Sequence, residues 1–156
     1  SINTVGDYGL NALNQVLSIP AMGAGSGALK YALTSASSFS IVTLWPPAMG
    51  FIYDAMLADS NLTQYCDDIV HLSDDTLLAT SSGPLEAMET VQACGITTLD
   101  KITDVIQRVN ARHPDSSVVL GCTCMYPIAS RLRERDLSVI EPMGAGYRQL
   151  ADATRH

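Results

Sequence analysis

Ser117-Val118-Val119-Leu120-Gly121-Cys122-Thr123-Cys124-Met125-Tyr126-Pro127 is the stretch that decides the fold. Ser117 to Leu120 ends in an unbroken apolar run, the pattern of a strand buried on both faces of a parallel sheet. Gly121 and Cys122 close it, and a helix is expected from Tyr126 to Arg135. A buried strand that passes within a few residues into a helix is half of a βα unit, and the rest of the chain repeats the pattern.

Upstream, Leu10, Leu13, Val16 and Leu17 recur at helical spacing, so Gly9 to Leu17 reads as a helix. Ile19 to Met22 reads as a short strand closed by a turn over Gly23 to Gly27, with a helix from Ala28 to Ser35. Phe39 to Leu44 is the clearest strand, and Pro46 and Pro47 suit the first turn of the helix after it. Asp68 to Leu72 is a further strand candidate, Ser73 to Gly83 an irregular loop, and Pro84 to Ala93 a helix. Leu99, Ile102, Val105, Ile106 and Val109 mark a long amphipathic helix. Beyond the central strand, Leu137 to Ile140 reads as a strand, and a last helix follows Pro142. The class is α/β, a parallel sheet flanked by helices. In such sheets sites form beyond the carboxyl ends of the strands, which directs attention to Gly23–Ser26, Thr43–Trp45, Gly121–Cys124 and Glu141–Gly144.

The 156 residues carry a formal charge of −7, and the nine Lys and Arg form no tract, which argues against a nucleic-acid partner. No apolar run reaches the ~20 residues that a membrane helix needs, so no membrane partner is expected. The opening Ser1-Ile2-Asn3-Thr4 has neither the basic start nor the apolar segment of a secretory signal. The four cysteines (Cys66, Cys94, Cys122, Cys124) are therefore expected as free thiols in a cytoplasmic, reducing setting. Cys122-Thr123-Cys124 is a weak metal pair, with no second pair and no nearby His, and no metal is expected.

The stretch Val119 to Pro127 resembles the second catalytic-cysteine motif of aspartate and glutamate racemases, a strand, then Gly-Cys-Thr, then a proline. It is equally similar to the Gly-Cys-x-x-Met form of hydantoin racemases, with Met125 in register. Gly6-Asp7-Tyr8-Gly9-Leu10, the helix after it, Ile19-Pro20 and the glycine-rich turn resemble the segment that follows the first catalytic cysteine of the hydantoin branch. Phe39 to Thr43 and Ser138 to Pro142 fit that branch's strands. The resemblance runs through nearly the whole chain, in order.

It implies a cofactor-independent racemase of the Asp/Glu/hydantoin type, an isomerase that moves a proton at the carbon alpha to a carbonyl or carboxylate. Two thiols on opposite faces normally share that work, one as thiolate and one as thiol. Cys122 matches the second. The first is absent: the longer Gly-Asp-Tyr-Gly-Leu register puts Thr4 in its place, the register on the Cys-Asn-Thr motif of glutamate racemases puts Ile2 there, and neither residue can act as a thiol does. A one-thiol decarboxylase or lyase, or an inactive small-molecule-binding relative, is the alternative. The resemblance also implies a two-lobed fold with the N-terminal part of lobe one missing. Residues 1–27 would be a remnant of the first lobe, 28–132 the second, and 133–156 a return to the first. It implies an amino acid or a 5-substituted hydantoin as substrate, no cofactor, and a homo-oligomer.

Around Cys122 and Thr4, the substrate-binding candidates are Thr123, whose hydroxyl and N–H could meet enolate charge, Thr43, Asp7, Gly6 and Ser26. Each has a plainer alternative. The plainer readings are an ordinary core thiol for Cys122, a strand end for Thr43 and a helix N-cap for Asp7. Cys124 suits packing, Trp45 a pocket wall, and His71 the core or rim.

Overall fold

The computed structural model describes residues 1–76, 79, 83, 85, 86, 89 and 96–155. Among them, three strands form one parallel sheet in the order β2-β1-β3: β1 is Ser38–Thr43, β2 Cys66–His71 and β3 Ser116–Leu120. The helices are α1 (Leu10–Val16), α2 (Ala24–Ala32), α3 (Phe51–Ser60), α4 (Ile96–Arg112), α5 (Tyr126–Arg133) and α6 (Pro142–Ala153).

Strand alternation sorts the core into two layers. On one face Phe39, Ile41 and Val119 pack with Leu29 and Ala32 of α2 and with Tyr53, Met56 and Leu57 of α3. On the other, Val42, Leu44, Val118 and Leu120 meet Leu99, Ile102 and Ile106 of α4 and Ile128 and Leu132 of α5. Ile41 pairs with Val119, and Val42 with Leu120, so each layer is fed by both strands at the same height. Burying a Val, Leu or Ile side chain contributes about 1.5–3 kcal/mol, so β1 and β3 form the most stable part of the sheet. Among the described residues, no helix is long and apolar enough to cross a membrane.

Three expectations are corrected. The glycine-rich segment from Gly23 to Gly27 is not a turn: α2 already begins at Ala24. Its small residues permit close packing, with Gly27 against Gly146 of α6, where an added Cβ would lie 2.9 Å from the Gly146 Cα. The strand read over Ile19 to Met22 shrinks to a single parallel bridge, Ile2 with Gly23, held by Ile2 N–H to Met22 O and Ala24 N–H to Ile2 O. Leu137 to Ile140 likewise contributes one bridge, Ile140 beside Val119 at the β3 edge. The helix expected over Pro84 to Ala93 lies outside the described residues, apart from isolated positions.

Candidate functional site

The carboxyl end of β3 opens on a cavity of about 240 Å³ lined by Thr4, Val5, Gly6, Tyr8, Trp45, Met49, Ile52, Tyr53, Gly121, Cys122 and Thr123. Four of the sequence candidates, Cys122, Thr4, Thr123 and Gly6, share this wall. They come from segments more than a hundred residues apart in the chain, joined by the fold.

Each part of the wall has a local cause. Gly121 stands where β3 ends against β1, and a Cβ there would come within 2.6 Å of the Thr43 Cβ and 2.9 Å of the Ile41 Cγ2. Only glycine lets the chain leave the sheet at that point, and Cys122 is thereby delivered to the rim in extended conformation. The sequence then turns through Thr123–Met125, and the Cys124 N–H donates to the Cys122 Sγ at 3.2 Å. Thr123 Oγ1 donates to the Asn3 carbonyl at 3.4 Å, which ties this turn to the N-terminal segment.

That segment is anchored by Asp7. Its carboxylate accepts the Gly25 N–H at 3.0 Å and the Ser26 N–H at 2.7 Å, capping the start of α2. Asp7 does cap a helix, but that helix is α2 and not α1, which follows Asp7 in sequence. Asp7 itself sits at positive φ (48°), a region that Asp tolerates better than most residues. With its carboxylate committed, Asp7 lines a neighbouring cavity together with Gly6, Ser26, Lys30, Met56 and Asp59. Ser26 is in that neighbouring cavity too, not in the one beside Cys122.

Thr43 was expected at the substrate, and the structure puts it elsewhere. It is fully buried behind the wall, where its Oγ1 accepts the Trp45 N–H at 3.2 Å and bonds the Tyr53 hydroxyl at 2.5 Å. Tyr53 donates in turn to the Gly121 carbonyl at 2.7 Å. Thr43 and Tyr53 therefore hold the chain at the cysteine-bearing turn. α3 is apolar on nearly every side, so its sequence marks neither Tyr53 as the buried residue nor its hydroxyl's partner across the sheet. His71 donates its Nδ1–H to the Trp45 carbonyl, 2.8 Å away, which fixes the tryptophan on the cavity wall. Glu141–Gly144 does not join the site: Glu141 caps α6 through the Gly144 N–H at 2.6 Å and lines a separate polar cavity with Arg133 and Arg148.

Burial pushes the Tyr53 phenol up to about 12, partly offset by its bond to Thr43. A folded value above the unfolded one, near ~10, means stability is complete below pH ~10 and is lost as pH rises through the folded value. The loss should amount to about 2–3 kcal/mol by pH 12. Tyr53→Phe should cost about 1–2 kcal/mol at neutral pH from the lost hydrogen bonds and should flatten this alkaline fall. Urea unfolding of both proteins at neutral and alkaline pH checks it.

The cysteines depart from expectation. Cys66 is free and half-buried, but Cys122 and Cys124 are joined as a disulfide, their Cα atoms 5.1 Å apart across the turn. The one-residue spacing and the tight turn after Gly121 bring the two sulfurs together, a geometry that composition and compartment alone did not foresee. Cys94 lies outside the described residues. Among the described residues, no group of three or more His, Cys, Asp and Glu is placed to hold a metal ion.

The family described as Asp/Glu/Hydantoin racemase matches residues 2–150, nearly the full length of the chain. The chain belongs to this family. Solved structures agree with the assignment of a racemase fold. The chain is similar to an allantoin racemase from Klebsiella pneumoniae, at 25% identity and a TM-score of 0.71, over 99% of this chain and 58% of that one. It is also similar in fold to an allantoin racemase from Pseudomonas fluorescens, at 21% identity and a TM-score of 0.68, over 96% of this chain and 59% of that one. It thus spans less than two thirds of the length of these racemase structures. No curated protein matches.

Proposed function

We propose that this racemase-family chain, in its reduced form, transfers a proton at the carbon alpha to a carbonyl, with the Cys122 thiol as acid/base on one face of that carbon. The observation that carries this reading is the position of Cys122: just beyond the carboxyl end of β3, a strand that feeds both core layers, on the wall of a cavity that Thr4, Gly6 and Thr123 also line. Thr123 stands on the same wall, and its hydroxyl proton, given to the Asn3 carbonyl at 3.4 Å in the resting site, turns to oxygen that gains charge as the substrate proton leaves. The mechanism calls on no cofactor and no metal.

The lining also bears on the substrate. Trp45, Met49, Ile52, Tyr53 and Tyr8 make much of the wall, and among the described residues no Lys, Arg, His, Asp or Glu contributes to it. A dicarboxylate such as aspartate or glutamate would have to leave water with no opposite charge to meet it, which is costly. A 5-substituted hydantoin is a neutral ring whose C5–H lies next to a carbonyl, and apolar walls suit it, above all with an apolar substituent. Allantoin, the substrate named for both racemase structures, is itself a 5-substituted hydantoin.

Thr4 favours a second reading. It lines the cavity, the motif register gives it the place of the first cysteine in the two-thiol scheme, and its hydroxyl is a poor proton carrier at neutral pH. One-thiol chemistry, as in a decarboxylase or lyase, needs no partner there.

Single enantiomers of 5-benzylhydantoin, aspartate and glutamate, incubated with the dithiothreitol-reduced protein in deuterium oxide, separate these readings by NMR and polarimetry. Racemisation predicts deuterium at C5 of the hydantoin and loss of rotation in step, with neither amino acid exchanged. Exchange with retained rotation would select the one-thiol reading. Exchange of glutamate in preference to the hydantoin would overturn the substrate assignment.

A further inference from the structure

The geometry points to Cys122–Cys124 as a reversible dithiol–disulfide switch, closed by hydroperoxides and opened by dithiols, that takes the working sulfur of the cavity out of action. This rests on the reading of Cys122 as the working thiol. The supporting observations are structural. Cys122 lines the cavity and is thus reachable by a small oxidant, whereas Cys124 does not line it. Cys124 is half-buried and packs against the core layer of α4 and α5, which keeps its sulfur beside Cys122 and out of the path of substrate. The two are already bonded within one turn, so closure demands no rearrangement of the sheet.

Cys66 is a poor competitor. Burial pushes its thiol up to about 11, and the nearby Asp67, Asp68 and Asp54 charges reinforce the shift against a bond to the Asp68 carbonyl. Little of it is thiolate at neutral pH, and it is the thiolate that reacts with peroxide.

The chemistry balances. The Cys122 thiolate attacks one oxygen of hydrogen peroxide and the O–O bond breaks, giving a sulfenic acid on Sγ and a hydroxide that takes up the proton lost by Cys122. The Cys124 thiolate then attacks the Cys122 sulfur and displaces hydroxide, which leaves as water with the Cys124 proton. Two thiols lose two electrons and two protons, and the peroxide becomes two waters. A dithiol reverses the change through a mixed disulfide, itself becoming oxidised. In the closed state Cys122 has neither a proton to give nor a lone thiolate to accept one. Without Cys124, the sulfenic acid has no resolving partner and is open to irreversible oxidation.

The test reads thiols by peptide mass spectrometry after iodoacetamide trapping, with C5 exchange followed in parallel. The reduced protein treated with hydrogen peroxide should yield a peptide spanning both cysteines that is two hydrogens lighter and unalkylated. Dithiothreitol should restore alkylation at both positions, and Cys66 should remain a thiol throughout. Cys124→Ser should start with the exchange activity of the parent. Under peroxide it should collect sulfinic acid at Cys122, heavier by two oxygens, which dithiothreitol does not reverse. Sulfinic acid at Cys122 in the parent at the same rate as in the variant would overturn the switch, as would a peroxide-driven disulfide between Cys122 and any other cysteine. A reduced protein that exchanges nothing would overturn the racemase reading, while the thiol measurements would still decide the switch.

Discussion

Cys122→Ser should lower deuterium exchange at the substrate carbon by about 10²–10⁴-fold, the usual contribution of a positioned acid/base, with the fold intact. A serine hydroxyl fills nearly the same space and can accept the same Cys124 N–H, so the turn after β3 keeps its geometry. What it lacks is a proton held loosely enough to be surrendered and regained near neutral pH. Unfolding midpoints of the two reduced proteins should agree closely, since Cys122 adds little to the core beyond its own volume. Exchange kinetics by NMR, set beside a urea titration, separates lost chemistry from lost structure. Equal loss of both would make Cys122 a packing residue.

Gly25→Ala should cost about 3 kcal/mol, at the upper end for overpacking, and should damage the cavity as well as the fold. A Cβ at Gly25 would lie 1.9 Å from the Val5 carbonyl oxygen and 2.4 Å from the Met56 Sδ. The methionine end can swing aside, but the Val5 carbonyl is backbone and moves only if its segment moves. That segment is the one Asp7 clamps through the Gly25 and Ser26 N–H groups, and it presents Thr4, Gly6 and Tyr8 to the cavity. The substitution should therefore raise KM for a hydantoin and shift the urea midpoint down together. Retained affinity alongside lost stability would mean that the N-terminal segment takes no part in binding.

The sheet was legible because β1 and β3 carry their own signal: β-branched runs of the right length, bounded by glycine, proline and serine. Cys122 was legible through the ordered motif around it, and its rim position follows from Gly121, which the motif includes. Three features were not. The start of α2 was hidden because its first turn is Ala-Gly-Ser-Gly, small residues that read as a turn until Gly146 is seen packed against them. Thr43 was misplaced because a threonine at a strand end looks alike whether its hydroxyl meets substrate or Tyr53. The disulfide escaped a reading made from compartment and composition, because it depends on how tightly the chain turns after Gly121.

The most direct measurement couples the sulfur to the exchange itself. Reduced protein is alkylated in steps with iodoacetamide, the modified fraction of each cysteine is read by peptide mass spectrometry, and the rate of hydantoin C5 deuteration is measured on the same samples. The rate should fall in proportion to the fraction of Cys122 modified, reach the uncatalysed background when that fraction is complete, and show no dependence on Cys66. Exchange that persists once every Cys122 is alkylated would contradict a role for this thiol in moving the proton.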